Sequence, residues 1–393
     1  MDAGIRQRIL DRIDALSDDL LSVSHAIHAR PELAFQERFA CELLCDTVAR
    51  FGVEARRGVY SLETAFEADV TSGAGPTVAV LAEYDALPGI GHACGHNLIA
   101  TAALGAALGL QAVADTLPGR VRLLGTPAEE KGGGKELMAR AGAFDGIDAA
   151  LMIHPAGVNL TAMPCICVAE VSVVYHGRSA HASAMPHKGI NALDGLLLAY
   201  QAISNLRQHI RNRERIHGIV TEGGQAPNIV PDRAAGEFYV RAANEKDLAA
   251  LKPRVQACFE AGAKGSGCEV EVRWADVDYL DLNTNAPLAA TFQRHGESLG
   301  REFLPAEALG GAGSTDMGNV SYRTPSIHPM LACAPPNVVI HNPEFARWAG
   351  SETGDLAALD GARALALTAA DYLLDPALQA ETRRAFEISR GLA

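Results

Sequence analysis

The sequence has no apolar run long enough to cross a bilayer. Its charged, amphipathic beginning, MDAGIRQRILDRIDALSDD, holds no apolar stretch of the signal-peptide kind. A cytoplasmic location is the expectation. Positive charge is not in excess: the formal net charge of −13 argues against a nucleic-acid or anionic-membrane partner. It says little about a small substrate, whose site has its own local field. The eight cysteines, Cys41, Cys45, Cys94, Cys165, Cys167, Cys258, Cys268 and Cys333, form no small secreted disulfide framework. Most read as small buried apolar side chains in a reducing compartment. Long repeats and low-complexity tracts are missing, and the glycine segment KGGGK lacks the P-loop pattern, which argues against nucleotide chemistry. What is present is a chain of 393 residues, 48% hydrophobic and 21% charged. That is ordinary globular composition at a length that favours two domains.

Ile5, Ile9, Ile13, Leu16 and Leu20 recur at helical spacing and predict an amphipathic helix that ends near Pro31. A second helix is expected over 36–51, stopped by Gly52. Strands are expected from Leu62, from Thr77, at Arg120 and up to Ile153, with helices after the second and third of these. This alternation predicts a doubly wound α/β sheet covered on both faces, with ligand loops at the carboxyl ends of its strands. From about Cys167 the order becomes strand, helix, strand, strand, helix, strand, the ferredoxin-like βαββαβ unit. The α/β pattern returns after Asp281, with a glycine-rich loop GGAGSTDMGN, a strand at IHPML and a long helix over 356–374. The expected division is a catalytic domain in two parts, 1–166 and 282–393, with a lid inserted at 167–281.

The loop from Glu83 to Asn97 gathers Asp85, His92, Cys94 and His96. Thiolate and imidazole two residues apart can converge on one borderline metal ion, and three glycines let the backbone fold around it. Glu129 and Glu130 follow the strand that starts at Arg120. Adjacent side chains point different ways, so one carboxylate can hold metal while the other acts as a general base. His154 and His341 each follow an apolar run. Together Cys94, His96, Glu130, His154 and His341 offer five metal-competent groups from four loops on one sheet edge. One zinc needs three or four; five suit two ions about 3.5–4 Å apart.

The strings EYDALPGIGHACGHN, PAEE, IHP, GRSAHASAMP and IHNPE, and the RPELAFQE segment at Arg30, resemble the dinuclear metallo-amidohydrolase family. Its members include aminoacylase, carboxypeptidase G, the auxin-conjugate amidohydrolases and p-aminobenzoyl-glutamate hydrolase. Within it the chain looks closest to the Xaa-Arg (β-alanyl-lysine) dipeptidase branch. The resemblance implies a metallopeptidase catalytic domain with an inserted lid and dimerisation domain. It also implies a homodimer acting on a small amide or dipeptide substrate through two divalent ions. Zinc or manganese come first, partly because cysteine ligation suits zinc, with cobalt or nickel as further choices. It makes Cys94, His96, Glu130, His154 and His341 the metal ligands, with Cys94 bridging, and Glu129 the general base. Asp85 becomes the acid that orients a ligand, and His181 the group that reaches the substrate carbonyl, often from the partner subunit. Asn228 and Arg241 become the grip on the substrate carboxylate, a task the guanidinium fork suits. On the residues alone, His181 reads equally as a strand-end cap and Arg241 as half of an internal ion pair. Glu83 stands where many relatives have His, so it is not expected to be a ligand. Asn97 stands where the auxin-conjugate type has Asp, and His92 is expected to support the site or face substrate. The expected function is metal-dependent hydrolysis of an N-acyl amino acid or dipeptide. The alternatives are an aminobenzoyl-glutamate-type or other N-acyl amino acid amidohydrolase, and a catalytically silent binding homologue.

Overall fold

A computed structural model describes residues 1–305 and 313–392 of the protein. The GGAG part of the glycine-rich loop lies mostly outside the described residues. The chain divides into two compact units, Met1–Pro164 with Leu282–Ala393, and Cys165–Asp281.

The first unit opens with α1 (Ala3–Ala15) and α2 (Ser17–Ala29), followed by α3 (Arg38–Arg50) and the short β1 (Ala55–Arg57). The single helix expected from the isoleucine spacing is two, because Leu16 leaves helical geometry at φ −99°, ψ 1°. Next come β2 (Phe66–Ser72), β3 (Thr77–Glu83), α4 (His96–Gln111), β4 (Arg120–Thr126), α5 (Gly134–Arg140), β5 (Ala149–Leu151) and β6 (His154–Ala156). The strand expected from Leu62 starts only at Phe66, since Tyr60 and Ser61 both have positive φ and turn the chain first.

The second unit contains β7 (Cys167–His176), α6 (Ala192–Leu206), β8 (Arg215–Glu222), β9 (Arg233–Ala242), α7 (Glu245–Ser266) and β10 (Glu269–Trp274). Its antiparallel sheet runs β10-β7-β9-β8. Alternate residues Val171, Val173 and Tyr175 of β7 pack with Leu196 and Ile203 of α6 and Val255 and Phe259 of α7. This is the βαββαβ unit that the order of patterns predicts.

The chain returns to the first unit with α8 (Ala286–Ser298), α9 (Met317–Ser321), β11 (Ser326–Ile327) and β12 (Met330–Ala332). It closes with α10 (Pro343–Ala349), α11 (Glu352–Leu374) and α12 (Pro376–Ser389). The sheet order is β1-β2-β4-β3-β5-β11, with β3, β4, β5 and β11 parallel. Burial alternates along β3 between two cores. Val78, Val80 and Ala82 join the cluster under α1, α2, α4 and α11, whereas Ala79 and Leu81 join Met138 of α5 and Met317 of α9. A strand apolar on both sides is what a sheet covered on both faces requires. Helix α4 is buried from His96 to Leu110, as a helix apolar all round must be. Its first residues therefore sit deep beside the carboxyl end of β3.

Candidate metal centre

The parallel strands β3 and β4, with the separate pair β6 and β12, frame the site. Glu83 is the last residue of β3, and the loop that follows carries Asp85 and Cys94 before His96 opens α4. Gly95, at φ 78°, makes that turn, and a side chain there would collide with the Pro155 ring. Beyond β4, Ala128 takes a positive φ of 61° and directs Glu129 and Glu130 inward. Buried Glu37 holds this turn by accepting a hydrogen bond from the Ala128 N–H at 2.9 Å. The sequence pattern puts His154 in a loop after an apolar strand. It instead begins β6, which pairs in parallel with β12 through His154 and Met330. His341 has φ 62°, a left-handed conformation that costs energy for a non-glycine residue, and its N–H is tied to the Ala93 carbonyl at 2.9 Å.

These turns bring the five expected ligands together. Cys94 Sγ lies 3.4 Å from His154 Nε2 and 3.7 Å from His341 Nε2. His341 Nε2 is 3.5 Å from Glu130 Oε2, and His96 Nε2 is 3.8 Å from Glu130 Oε1. Among the described residues, three groups have ligand atoms all within 4.8 Å of one another: Cys94, His96 and His154; Cys94, Glu130 and His341; and Glu83, His96 and Glu129. Cys94 belongs to the first two, and His341 is the exposed member, with 53% of its side-chain surface open.

The donor set fits divalent metal. Two ligands at zinc-type bond lengths on a tetrahedral ion stand roughly 3.3–3.8 Å apart, the range of the four spacings above. His96 Nε2 and Glu130 Oε1 are buried and have no hydrogen-bond partner. Glu83 Oε1 comes within 3.0 Å of that nitrogen, at ion-pair distance but without hydrogen-bond geometry. Both histidines have their other nitrogen fixed: His96 Nδ1 meets Asp85 Oδ1 at 3.1 Å, and His154 Nδ1 donates to the Pro155 carbonyl at 2.7 Å. Such outer bonds orient a metal-binding imidazole and leave Nε2 for the ion. Asp85 also accepts the Glu130 N–H at 2.9 Å, so one carboxylate aligns two of the expected ligands.

The electrostatics agree. Burial, then the neighbouring Glu83, Glu130 and Asp316, hold the Glu129 carboxyl well above the carboxylate range. Burial raises Glu130 to about 7 and pushes the Cys94 thiol far up, with Glu130 adding to it. Burial, then His96, lowers His154 to about 4, which leaves a neutral imidazole. Burial opposes the Asp85 charge too, but the His96 ring, the Glu130 N–H and Lys135 outweigh it and hold the carboxyl low. A buried cluster so reluctant to carry its negative charge is one that divalent cations would stabilise.

The other expected site residues lie in the second unit. The exposed His181 accepts from the Ala184 N–H at 3.3 Å, and Asn228 is its neighbour, its carbonyl accepting the Ala182 N–H at 3.0 Å. Arg241 of β9 donates from Nε to His217 Nε2 at 3.4 Å. In the first unit His92 turns to the Ile27 carbonyl at 3.1 Å and stacks on His28. Asn97 donates to Ser24 and to the Ala349 carbonyl, joining α4 to α2 and α10.

Sequence reasoning missed Lys135, Asp316 and His328. Lys135 is fully buried between Glu83 and Asp316. His328, fully buried, packs edge-on against His154 with ring centres 5.3 Å apart. The tripeptide Ile-His-Pro occurs at both 153–155 and 327–329, and that repetition was the available signal for His328.

The sequence profile of Peptidase family M20/M25/M40 matches residues 73–349. The chain is 40% identical to the Xaa-Arg dipeptidase of Mus musculus, over 98% of this chain and 92% of that protein. It is 33% identical to a p-aminobenzoyl-glutamate hydrolase polypeptide of Escherichia coli (strain K12), over 67% of this chain and 59% of that protein. A dinuclear metal binding peptidase of the M20 family from Bacillus subtilis has the same fold. It aligns at a TM-score of 0.68 and 21% identity, covering 91% of this chain and 99% of its own.

Proposed function

The chain belongs to Peptidase family M20/M25/M40, and from that premise we propose that it hydrolyses the amide bond of a dipeptide or small N-acyl amino acid at a two-metal centre. The observation that supports this most directly is the place of Cys94 in two ligand groups at once. Its sulfur can serve both, with His96 and His154 on one side and Glu130 and His341 on the other.

Cys94, His96, Glu130, His154 and His341 would hold two divalent ions, which would supply Lewis acidity toward a water and the scissile carbonyl. Glu129 takes the proton of the attacking water and hands it to the leaving amine. Its burial among other carboxylates raises its affinity for a proton, and the divalent charge beside it would keep it ionised until the water gives that proton up. Asp85 keeps His96 and Glu130 aligned while this happens. His181, brought by the lid of a partner subunit, stabilises the oxyanion, and Asn228 and Arg241 hold the substrate carboxylate. The reading includes a cytoplasmic homodimer joined through the lid. Zinc is the first choice of ion for a thiolate-containing set, with manganese, cobalt and nickel to be compared.

Likeness to an Xaa-Arg dipeptidase makes dipeptides ending in Arg or Lys, β-alanyl-lysine among them, the first substrates to try. p-Aminobenzoyl-glutamate and N-acyl amino acids come next. The deciding experiment is hydrolysis of this panel by protein reconstituted with each metal, with and without a chelator. Chelator-sensitive release of the amino acid is expected. A metal-loaded protein inert on every member would leave the reading without support and favour a silent binding homologue.

A further inference from the structure

Among the described residues, Lys135 is the only lysine or arginine that is fully buried. Its backbone N–H donates to Asp316 Oδ2 at 2.8 Å and its Nζ donates to Asp316 Oδ1 at 2.8 Å. Nζ also donates to Glu83 Oε2. An ammonium taken out of water costs several kcal/mol unless it is paired and hydrogen-bonded, and here two buried carboxylates do both. The glycines before it allow the placement. A side chain on Gly134 would run into the Pro127 carbonyl oxygen, so only glycine lets α5 start this close under the end of β4.

Glu83 faces two ways. One oxygen belongs to Lys135, and the other stands 3.0 Å from His96 Nε2, in the group that also contains Glu129. An untethered Glu83 carries a flexible, ligand-capable carboxylate next to both the ion position at His96 and the proposed base. Like charges that close repel, and a carboxylate free to turn competes for any cation nearby.

We propose that Lys135, braced by Asp316, is a positioning residue that pins Glu83 and so keeps this carboxylate from capturing the metal site or crowding Glu129. This rests on the two-metal hydrolase reading above. Lys135 touches neither substrate nor ion; it acts through Glu83. Ordinary structural damage at this position would loosen the metals. Pinning makes the opposite prediction, because a released Glu83 adds a ligand.

The test compares wild type, Lys135→Met, Glu83→Gln and the double variant, all loaded with zinc. It follows kcat and KM on the best substrate of the panel and the rate at which a chelator withdraws zinc. Lys135→Met should lose at least about tenfold in kcat with KM within roughly threefold, and should release zinc more slowly than wild type. Glu83→Gln in the same chain should reverse both changes. Faster zinc release by Lys135→Met, an unchanged kcat, or a double variant that reverses neither effect would overturn the proposal. If Lys135→Met does not fold, Asp316→Asn loosens the same brace from the other side and must show the same pattern. A wild type inert on the panel would count against the hydrolase reading, while the zinc-release series would still decide whether Glu83 is pinned.

Discussion

His96 Nε2 and Glu130 Oε1 face each other across 3.8 Å, both buried and neither with a hydrogen-bond partner. Each belongs to a group that also contains Cys94. Two polar atoms left bare in a protein interior are costly, by about 1–3 kcal/mol each, unless something absent from the polypeptide satisfies them.

Removal of metal should therefore destabilise the fold as well as stop the reaction. A ligand that binds only the folded state adds stability by mass action, about 4 kcal/mol at a thousandfold excess over Kd. The expected outcome is a drop in Tm on chelation that zinc or manganese restores, followed by calorimetry. An unchanged Tm would mean that the cluster holds no ion.

Cys94→Ser should lower the metal content towards one ion or none per chain, measured by elemental analysis after gel filtration, because one sulfur would serve both groups. Asp85→Asn should keep the ligands but weaken affinity by roughly 10–100-fold, since an amide can accept from only one of the two N–H groups, of His96 and Glu130, that the carboxylate aligns. Unaltered stoichiometry in Cys94→Ser would count against its ligation.

Glu129→Gln should retain metal and lose roughly 10²–10⁴-fold in kcat, the size of a general-base contribution. The amide is close in shape to the acid but cannot accept the proton. Near-normal turnover would remove Glu129 from that role.

His181→Ala should reduce kcat while metal content and Tm stay at wild-type values, because the side chain is exposed and, among the described residues, bonds within its own turn. A kinetically silent substitution would return His181 to a turn-capping role.

Glu37, which holds the turn before Glu129 and Glu130 without being an expected ligand, gives a pH test. It accepts from the Phe35 and Ala128 N–H groups and from the Thr64 hydroxyl. Burial, then the Asp85 charge, push it up to about 7. An unfolded glutamate titrates near about 4.3, so the folded chain holds this proton more tightly. That contribution to stability is complete below the unfolded value and is lost as pH rises through about 7. Glu37→Gln keeps an oxygen for the two N–H groups without the charge. Between pH 5 and 8 in urea unfolding, wild type should lose about 1–3 kcal/mol more than the variant. Equal losses would refute the shift.

Periodicity carried the fold a long way. The buried run of β3, the Ala/Leu-rich α4 and the alternation in β7 each announce their surroundings, because a side chain's polarity is chosen for the face it occupies. The helix break at Leu16 was not legible, nor were α10 and α12, which bury little beyond Phe345 and Ala349 in one and Leu378 and Thr382 in the other. The strand pairing that puts His154 opposite Met330 is a long-range contact with no local signal.

The candidate site divides the same way. Residue types and their places at strand ends marked Cys94, His96, Glu130, His154 and His341 as able to share ions, since thiolate, imidazole and carboxylate are what such ions bind. Distance was not in the sequence. Glu83 stood at a strand end where a ligand was not expected, and Lys135 stood at the expected start of a helix after a glycine run, with no local sign of burial. Only the closure of α5 and α9 around the end of β3 put a lysine, a glutamate and an aspartate into one dry space. The sequence by itself determined which groups were available and the order in which strands and helices present them. Tertiary structure decided which of them meet and which lose water, and therefore which charges must be paired. Burial and proximity are properties of packing between segments far apart in the chain, where local pattern has no reach.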